Sequence, residues 1–139
     1  MDGSDPVSNK TLRVLIVDRD PRVRRGLRAL LETQPDIVVI GESDSDTGAV
    51  RRAAALHPSV VLLDLMLPTL PDGLATVQLL AAHRRPCIAT CWQSSVREAA
   101  LALGAAGFVE KGGSPEHLLA AIRGTSPEPA SQRSSPQRE

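Results

Sequence analysis

Two carboxylates and one lysine stand where this sequence could carry chemistry. Asp64 ends an unbroken apolar run that begins at Val60, and a strand of that pattern is buried on both faces. A carboxylate there is costly to desolvate without a partner. Asp18 follows a second apolar run, and Lys111, one of only two lysines in the chain, follows a third. Asp64 is therefore either a satisfied structural carboxylate or the reactive group of a site.

Carboxylates beside a lysine suit phosphoryl transfer. A carboxylate oxygen can act as the nucleophile and form an acyl phosphate. The developing charge needs cations, namely an ammonium group and normally Mg²⁺ held by further carboxylates. A hydroxyl at a neighbouring strand end can bind the new phosphoryl oxygen and so bias a loop or helix. The alternative for Asp64 and Lys111 is a structural ion pair at a sheet edge.

Five strands alternating with five helices are predicted to position these groups. The apolar runs predict strands over 12–17, 37–40, 60–64, 87–91 and 107–110. Helical spacing and capping residues predict helices over 21–33, 47–56, 74–83, from Ser95 to Leu103, and 115–123. This alternation favours an α/β fold, a parallel sheet with helices on both faces. The ends of strands one, three, four and five then converge on one edge.

Local signals set the expected boundaries of these elements. Gly41 is expected to close strand two, and Asp46 to cap the helix that follows it. The segment 67–73 is rich in turn residues and is expected to be a loop. Ser95 and Glu98 have the spacing of a capping box.

The composition excludes several classes of function. The chain has 139 residues, of which 42% are hydrophobic and 23% charged, as expected for one globular domain. Sixteen basic and sixteen acidic residues cancel, which gives no basis for a nucleic-acid or membrane surface. No apolar stretch could span a bilayer and the first residues are not signal-like, so a cytoplasmic location is expected. Cys87 and Cys91 would lie roughly 13 Å apart on one strand, too far for a disulfide.

The domain is expected to occupy residues 11–123. Residues 1–10 are expected to form a flexible leader. From Gly124 the composition shifts to Ser, Pro, Gln and Arg, so 124–139 is expected to be a disordered tail or linker.

These residues resemble the receiver domain of bacterial two-component response regulators, especially those with a LuxR-type helix-turn-helix output domain. The resemblance covers about residues 11–123, and the stretches that carry it are 15–31, 60–68, Gly73-Leu74 and 104–111. It implies a single doubly wound five-stranded parallel sheet, flavodoxin-like, with strand order 2-1-3-4-5. It also implies a signalling module rather than an enzyme.

The resemblance assigns roles to individual residues. Asp64 would be the phosphoacceptor, Lys111 the phosphoryl-contacting lysine and Phe108 the switch aromatic. Asp18 and Asp64 would bind Mg²⁺, with Asp20 as a further member of the acidic pocket. A sensor histidine kinase would donate the phosphoryl group, and the chain would form a homodimer. DNA would be reached only through an output domain absent from this chain, and no membrane partner is expected.

The acidic pocket departs from the family pattern at Arg19. The family has two adjacent acids after strand one; Asp18 matches the first, but Arg19 takes the place of the second, which binds the metal directly. An inward Arg19 could pair with Asp18 or Asp64 and imitate the cation. An outward Arg19 would leave Asp20 to replace part of the lost charge.

The end of strand four departs from the pattern as well. The switch hydroxyl position falls on Cys91, with Thr90 one residue early. Trp92 then stands where a small residue is typical, either packed on the surface, or as a gate over Asp64 or an interface anchor.

Two other functions compete with the phosphorylated receiver. One is a pseudo-receiver, a phosphorylation-independent dimerisation or binding module, because Arg19 replaces a Mg²⁺-binding acid. The other is a phosphatase of the haloacid-dehalogenase type, which needs a second acid two residues after the nucleophile, where Met66 stands.

Overall fold

The computed structural model describes residues 11–125, so the predicted leader and all but the first two residues of the predicted tail lie outside the described residues. Five strands run through the domain: β1 (Leu12–Val17), β2 (Ile37–Ser43), β3 (Val60–Asp64), β4 (Cys87–Cys91) and β5 (Gly107–Glu110). Five α-helices alternate with them: α1 (Pro21–Glu32), α2 (Asp46–Leu56), α3 (Leu70–Ala82), α4 (Arg97–Ala102) and α5 (Pro115–Gly124). One 3-10 turn, Ser94–Val96, precedes α4.

All strand pairs are parallel, and the order is β2-β1-β3-β4-β5. This confirms the predicted doubly wound, flavodoxin-like architecture. Every residue of β3 and β4 is buried, because these central strands are covered by helices on both faces. Within the described residues, no helix combines the length and the apolar character that a bilayer crossing requires.

Strand periodicity divides the core into two layers. One face of the sheet packs on α1 and α5, through residues such as Leu31, Leu118 and Ile122. The other face packs on α2, α3 and α4, through residues such as Ala53 and Val77. Side chains of successive strand residues therefore enter opposite layers, which decides the surroundings of each residue at the site edge.

Two predicted boundaries were wrong by several residues, the end of β2 and the start of α3. β2 continues to Ser43 rather than closing at Gly41, because a register irregularity between Val14 and Leu15 of β1 lets the pairing resume. α3 begins at Leu70 rather than after Gly73, because the Thr69 hydroxyl accepts a hydrogen bond from the Asp72 amide and proline is tolerated in the first helical turn.

Further differences concern helix ends; for example, α1 ends at Glu32 rather than at residue 33, and α3 ends at Ala82 rather than at residue 83. The expected capping box at Ser95 does not form, since the 3-10 turn occupies 94–96 and α4 has no side-chain cap. Ser45, not Asp46, caps α2. α5 extends one residue beyond the predicted end, to Gly124.

The last helix is tied to the far end of the sheet. The Arg123 guanidinium donates hydrogen bonds to both carboxylate oxygens of Asp36, at 2.8 and 2.9 Å, and to the side chain of Gln34 at 2.8 Å. Asp36 immediately precedes β2. The C-terminal end of α5 is thus held at the edge where the strands begin, opposite the edge where they end.

Candidate functional site

Lys111 joins two carboxylates at the C-terminal edge of the sheet. Its Nζ atom lies 2.7 Å from Oδ2 of Asp18 and 3.2 Å from Oδ1 of Asp64. Asp18 follows β1, Asp64 ends β3 and Lys111 follows β5, so residues 93 positions apart in sequence meet here. The side chains are 2%, 5% and 11% exposed, respectively. The three groups form a buried, charge-coupled cluster.

Main-chain hydrogen bonds fix this cluster beyond the strands. The amide of Leu65 donates to the Thr90 carbonyl at 2.9 Å, and the amide of Lys111 donates to the Cys91 carbonyl at 2.8 Å. These bonds continue the sheet hydrogen bonding by one residue beyond the end of β3, at Leu65, and beyond the end of β5, at Lys111. The backbone that carries Asp64 and Lys111 is therefore held rigidly at the sheet edge.

The two oxygens of Asp64 have different surroundings. Oδ1 accepts a hydrogen bond from the Met66 amide at 3.0 Å and also faces the Lys111 ammonium. Among the described residues, no donor is hydrogen-bonded to Oδ2. Both oxygens of Asp18 are engaged, Oδ1 by the Asp20 amide at 2.9 Å and Oδ2 by Lys111. Oδ2 of Asp64 is consequently the carboxylate oxygen available to a reactant.

The Arg19 side chain does not pair with either carboxylate. It is exposed, and its Nη1 atom donates a 3.3 Å hydrogen bond to the carbonyl oxygen of Pro68, in the loop between β3 and α3. Since β1 and β3 are neighbours, this bond joins the two loops that flank Asp64. The structure thus places the guanidinium at the rim of the site, neither inside it nor free in solvent.

Asp20 does not contribute its carboxylate to the pocket. Its Oδ1 atom caps α1 by accepting a 2.9 Å hydrogen bond from the Arg22 amide, and the Arg22 side chain lies 3.4 Å from the same atom. These interactions, chiefly the backbone hydrogen bond, lower the pKa of Asp20 below its ordinary value. The predicted acidic pocket therefore retains one acid besides Asp64, namely Asp18.

The residues present fit the Mg²⁺ site that the resemblance implies only in part. Mg²⁺ takes oxygen ligands in octahedral geometry and keeps several waters, so a protein usually supplies one or two carboxylates. Within residues 11–125, no cluster of three or more acids, histidines or cysteines could hold a metal ion. The two carboxylates that remain, Asp18 and Asp64, are both bonded to Lys111. A guanidinium occupies the sequence position of the missing ligand.

Thr90 and Cys91 enter opposite layers of the molecule. Thr90 is in register with Asp64, and its hydroxyl lies 3.4 Å from the Leu63 carbonyl, a weak hydrogen bond. Cys91 is buried in the layer that packs on α3 and α4, and the half-buried ring of Phe108 packs against the same layer. The two candidate switch residues are therefore adjacent in sequence but differ in surroundings.

Trp92 covers one side of the loop that carries Lys111. Trp92 is 63% exposed, and its ring lies over Gly112, where a Cβ atom would approach the ring to 3.1 Å. Gly112 also has a φ of +85°, which glycine adopts without strain. Between Trp92, this loop, α1 and α5 lies a cavity of about 200 Å³ that is also lined by Thr90 and Lys111. The ring is therefore beside the site.

Sequence reasoning missed the main-chain groups of the site. The Met66 amide and the Pro68 carbonyl both act through the backbone, so their residue types carry no signal of it. The Leu-Pro pair in the loop indicated a turn, but not that its carbonyl would face Arg19.

Comparison with known proteins identifies a matching family. The sequence model of the family described as the response regulator receiver domain matches residues 14–123. The transcriptional regulatory protein YdfI of Bacillus subtilis is 37% identical over 118 residues, which cover 81% of this chain and 55% of that protein. The chain thus spans about half the length of the curated relatives it matches.

Solved structures agree in fold. The response regulator domain of Thermotoga maritima CheB superposes with a TM-score of 0.77 at 26% identity, covering 86% of this chain and 99% of that one. A LuxR-family two-component response regulator from Aurantimonas sp. SI85-9A1 also has a TM-score of 0.77, at 28% identity, with 93% and 99% coverage. The similarity therefore extends over nearly the whole of each solved domain.

Proposed function

Because this chain belongs to the response regulator receiver domain family, we propose that it accepts a phosphoryl group on Asp64 from a sensor histidine kinase. The observation that carries the proposal is the buried cluster in which Lys111 bridges Asp18 and Asp64. A structural ion pair would need only one carboxylate, whereas the second buried carboxylate adds a repulsion that the fold must overcome. Such an arrangement is typical of a reactive site.

The chemistry follows from the two different oxygens of Asp64. Oδ2 attacks the phosphorus of the donor, while Oδ1 stays bonded to the Met66 amide and faces Lys111. A carboxylate O–P bond forms, the N–P bond of the donor phosphohistidine breaks, and its electron pair remains on the imidazole nitrogen. The Lys111 ammonium stabilises the negative charge on the transferred phosphoryl oxygens.

We further propose that the chain signals in the cytoplasm through dimerisation or an attached transcriptional output domain. The support is that YdfI, a transcriptional regulatory protein, is matched over only 55% of its length, which leaves room in that protein for another domain. DNA would then be bound by such a domain and not by the residues described here.

The test is phosphorylation by a small phosphodonor such as phosphoramidate, followed by intact-mass spectrometry, with Mg²⁺ and separately with a chelator. The wild type is expected to gain the mass of one phosphoryl group in at least one condition, and Asp64→Asn in neither. Asp72→Asn, at a half-buried position in the first turn of α3, is a matched control that should be labelled like the wild type. Absence of the adduct in both conditions would refute the proposal.

The alternative is a pseudo-receiver that works without phosphorylation. The observation favouring it is the lack of a third acid near Asp18 and Asp64 among the described residues. It predicts that neither condition yields an adduct and that Asp64→Asn leaves self-association unchanged in sedimentation velocity. A phosphoryl adduct on Asp64 that alters the sedimentation coefficient would exclude it.

A further inference from the structure

Arg19 is held at the rim of the acceptor site by one weak bond. The 3.3 Å hydrogen bond to the Pro68 carbonyl is its only hydrogen bond among the described residues, and the side chain is exposed. A solvent-exposed bond of this length contributes little, so the guanidinium can exchange it for a stronger acceptor. The loop that it contacts begins directly after Asp64. A phosphoryl group on Oδ2 would therefore form between the two loops that this bond now joins.

The charges at the site already balance without a metal ion. Asp18 and Asp64 supply two negative charges, and Lys111 and Arg19 supply two positive ones. A third acid in place of Arg19 would leave a net charge of −2, which a divalent cation would neutralise. Compared with an acid at this position, Arg19 removes a metal ligand and raises the net charge of the site by two units, which is the charge that the divalent cation would bring.

We propose that Arg19 takes the place of the divalent cation in phosphorylation of this chain. On this view, which rests on the proposed function of Asp64, the guanidinium leaves the Pro68 carbonyl and binds an oxygen of the phosphoryl group. Guanidinium and phosphate form charge-assisted, often bidentate hydrogen bonds, so the exchange is favourable. The phosphoryl group is then held between Lys111 and Arg19, and transfer proceeds in the absence of Mg²⁺.

The test compares metal dependence in three variants. Arg19→Gln removes the positive charge, and Arg19→Asp supplies the acid that the family has at this position. Arg25→Gln removes an exposed positive charge on α1 and is the matched control. Each is incubated with phosphoramidate in chelator or in Mg²⁺, and the rate of adduct formation is measured by mass spectrometry. Mg²⁺ binding is measured separately, without phosphodonor, from the fluorescence of Trp92, the only tryptophan in the chain.

The wild type and Arg25→Gln are expected to be labelled in chelator at rates close to those in Mg²⁺. Arg19→Gln should be slower in chelator by about tenfold to a hundredfold, the loss expected for one charge-assisted hydrogen bond. Arg19→Asp should be labelled only with Mg²⁺, and should bind Mg²⁺ at least about tenfold more tightly than the wild type.

Two results would overturn the inference while leaving Asp64 as the acceptor. One is labelling of the wild type that requires Mg²⁺ to the same extent as labelling of Arg19→Asp. The other is equal Mg²⁺ affinity of the wild type and Arg19→Asp in the fluorescence titration, which decides the point even if no adduct forms. Failure of all variants to be labelled refutes the proposed function instead.

Discussion

At the scale of single residues, Lys111 is the group on which the site depends most. It is nearly buried, and among residues 11–125 it is the only cation paired with the carboxylate of Asp18 or Asp64. Removing one partner of a buried ion pair leaves an uncompensated charge and is strongly destabilising. The lysine thus stabilises the fold as well as serving the proposed chemistry.

Lys111→Met is expected to lower the free energy of unfolding by about 3 kcal/mol. Methionine keeps an aliphatic side chain of similar length, so the lost stability would come from the two unpaired carboxylates rather than from lost packing. Adding Asp18→Asn to this variant should restore part of the loss, because only one buried carboxylate then remains. Urea denaturation of the four members of this cycle is the measurement. A midpoint for Lys111→Met equal to that of the wild type would contradict the account.

The sequence predicted the positions of the site residues but not the orientation of their long side chains. The positions of Asp64 and Lys111 followed from the ends of apolar runs, because strand ends in a parallel sheet share an edge. The direction of Arg19 could not follow in the same way, since a flexible side chain chooses among acceptors that include main-chain carbonyls. Similarly, Asp20 could serve as either a pocket acid or a helix cap, and the cap prevailed.

At the scale of secondary-structure elements, α3 packs unusually closely on the loop that follows β3. A Cβ atom on Gly73 would lie 1.9 Å from the carbonyl oxygen of Leu65, which is main chain and cannot move aside. Gly73 belongs to the first turns of α3, and Leu65 follows Asp64 directly. The close contact therefore fixes the start of α3 against β3, the strand that ends at Asp64.

Gly73→Ala is expected to destabilise the protein by about 3 kcal/mol or more, because overpacking forces the backbone apart. Gly26→Ala is the matched control. Gly26 is exposed in α1 and a Cβ atom there would meet nothing within 4 Å, so alanine should stabilise the protein by about 0.5–1 kcal/mol. Thermal and urea unfolding of both variants provide the comparison. Equal effects of the two substitutions would disprove the close-packing argument.

The elements themselves were predicted more accurately than their ends. The central strands were predicted with the observed bounds, since both are short, apolar and buried. The start of α3 was missed because Thr69, Leu70 and Pro71 suit a loop as well as a first helical turn. The cap formed by Thr69 and the packing of Gly73 against Leu65 appear only in the folded structure. The continuation of β2 likewise depends on pairing with β1, which no local pattern encodes.

At the scale of the whole molecule, ion pairs between distant elements set the response to acid. Glu42 of β2 binds Arg28 at 2.7 Å and Arg24 at 3.1 Å on α1, and these arginines, Arg28 foremost, lower its pKa. Arg123 of α5 lowers the pKa of Asp36 in the same way. Both carboxylates have a lower pKa in the folded than in the unfolded chain. Their contribution is therefore present above the unfolded pKa values, near 4, and is lost as the pH falls through the folded values.

Stability is accordingly expected to fall as the pH decreases below about 5. Glu42→Gln should flatten this dependence and should cost less than about 1 kcal/mol at neutral pH, because the pairs are partly exposed. Asp44→Asn removes a neighbouring exposed charge and is the control for net charge. Urea unfolding between pH 3 and pH 7 measures the slope for each protein. A slope for Glu42→Gln as steep as that of the wild type would contradict this origin of acid sensitivity.

The hydrogen bonds between Arg123 and Asp36 fix the C-terminal end of α5. The helix begins four residues after Lys111, at the edge of the sheet that carries Asp64, and its last turn is hydrogen-bonded to Asp36 at the opposite edge. Ten residues of α-helix measure about 15 Å, roughly twice the Debye length in physiological salt. Through the surrounding solution, the potential of a new charge at Asp64 fades well before it reaches that pole. A phosphoryl group on Asp64, as proposed, would therefore affect that end of the sheet through a displacement of α5 rather than through the electrostatic potential in solution.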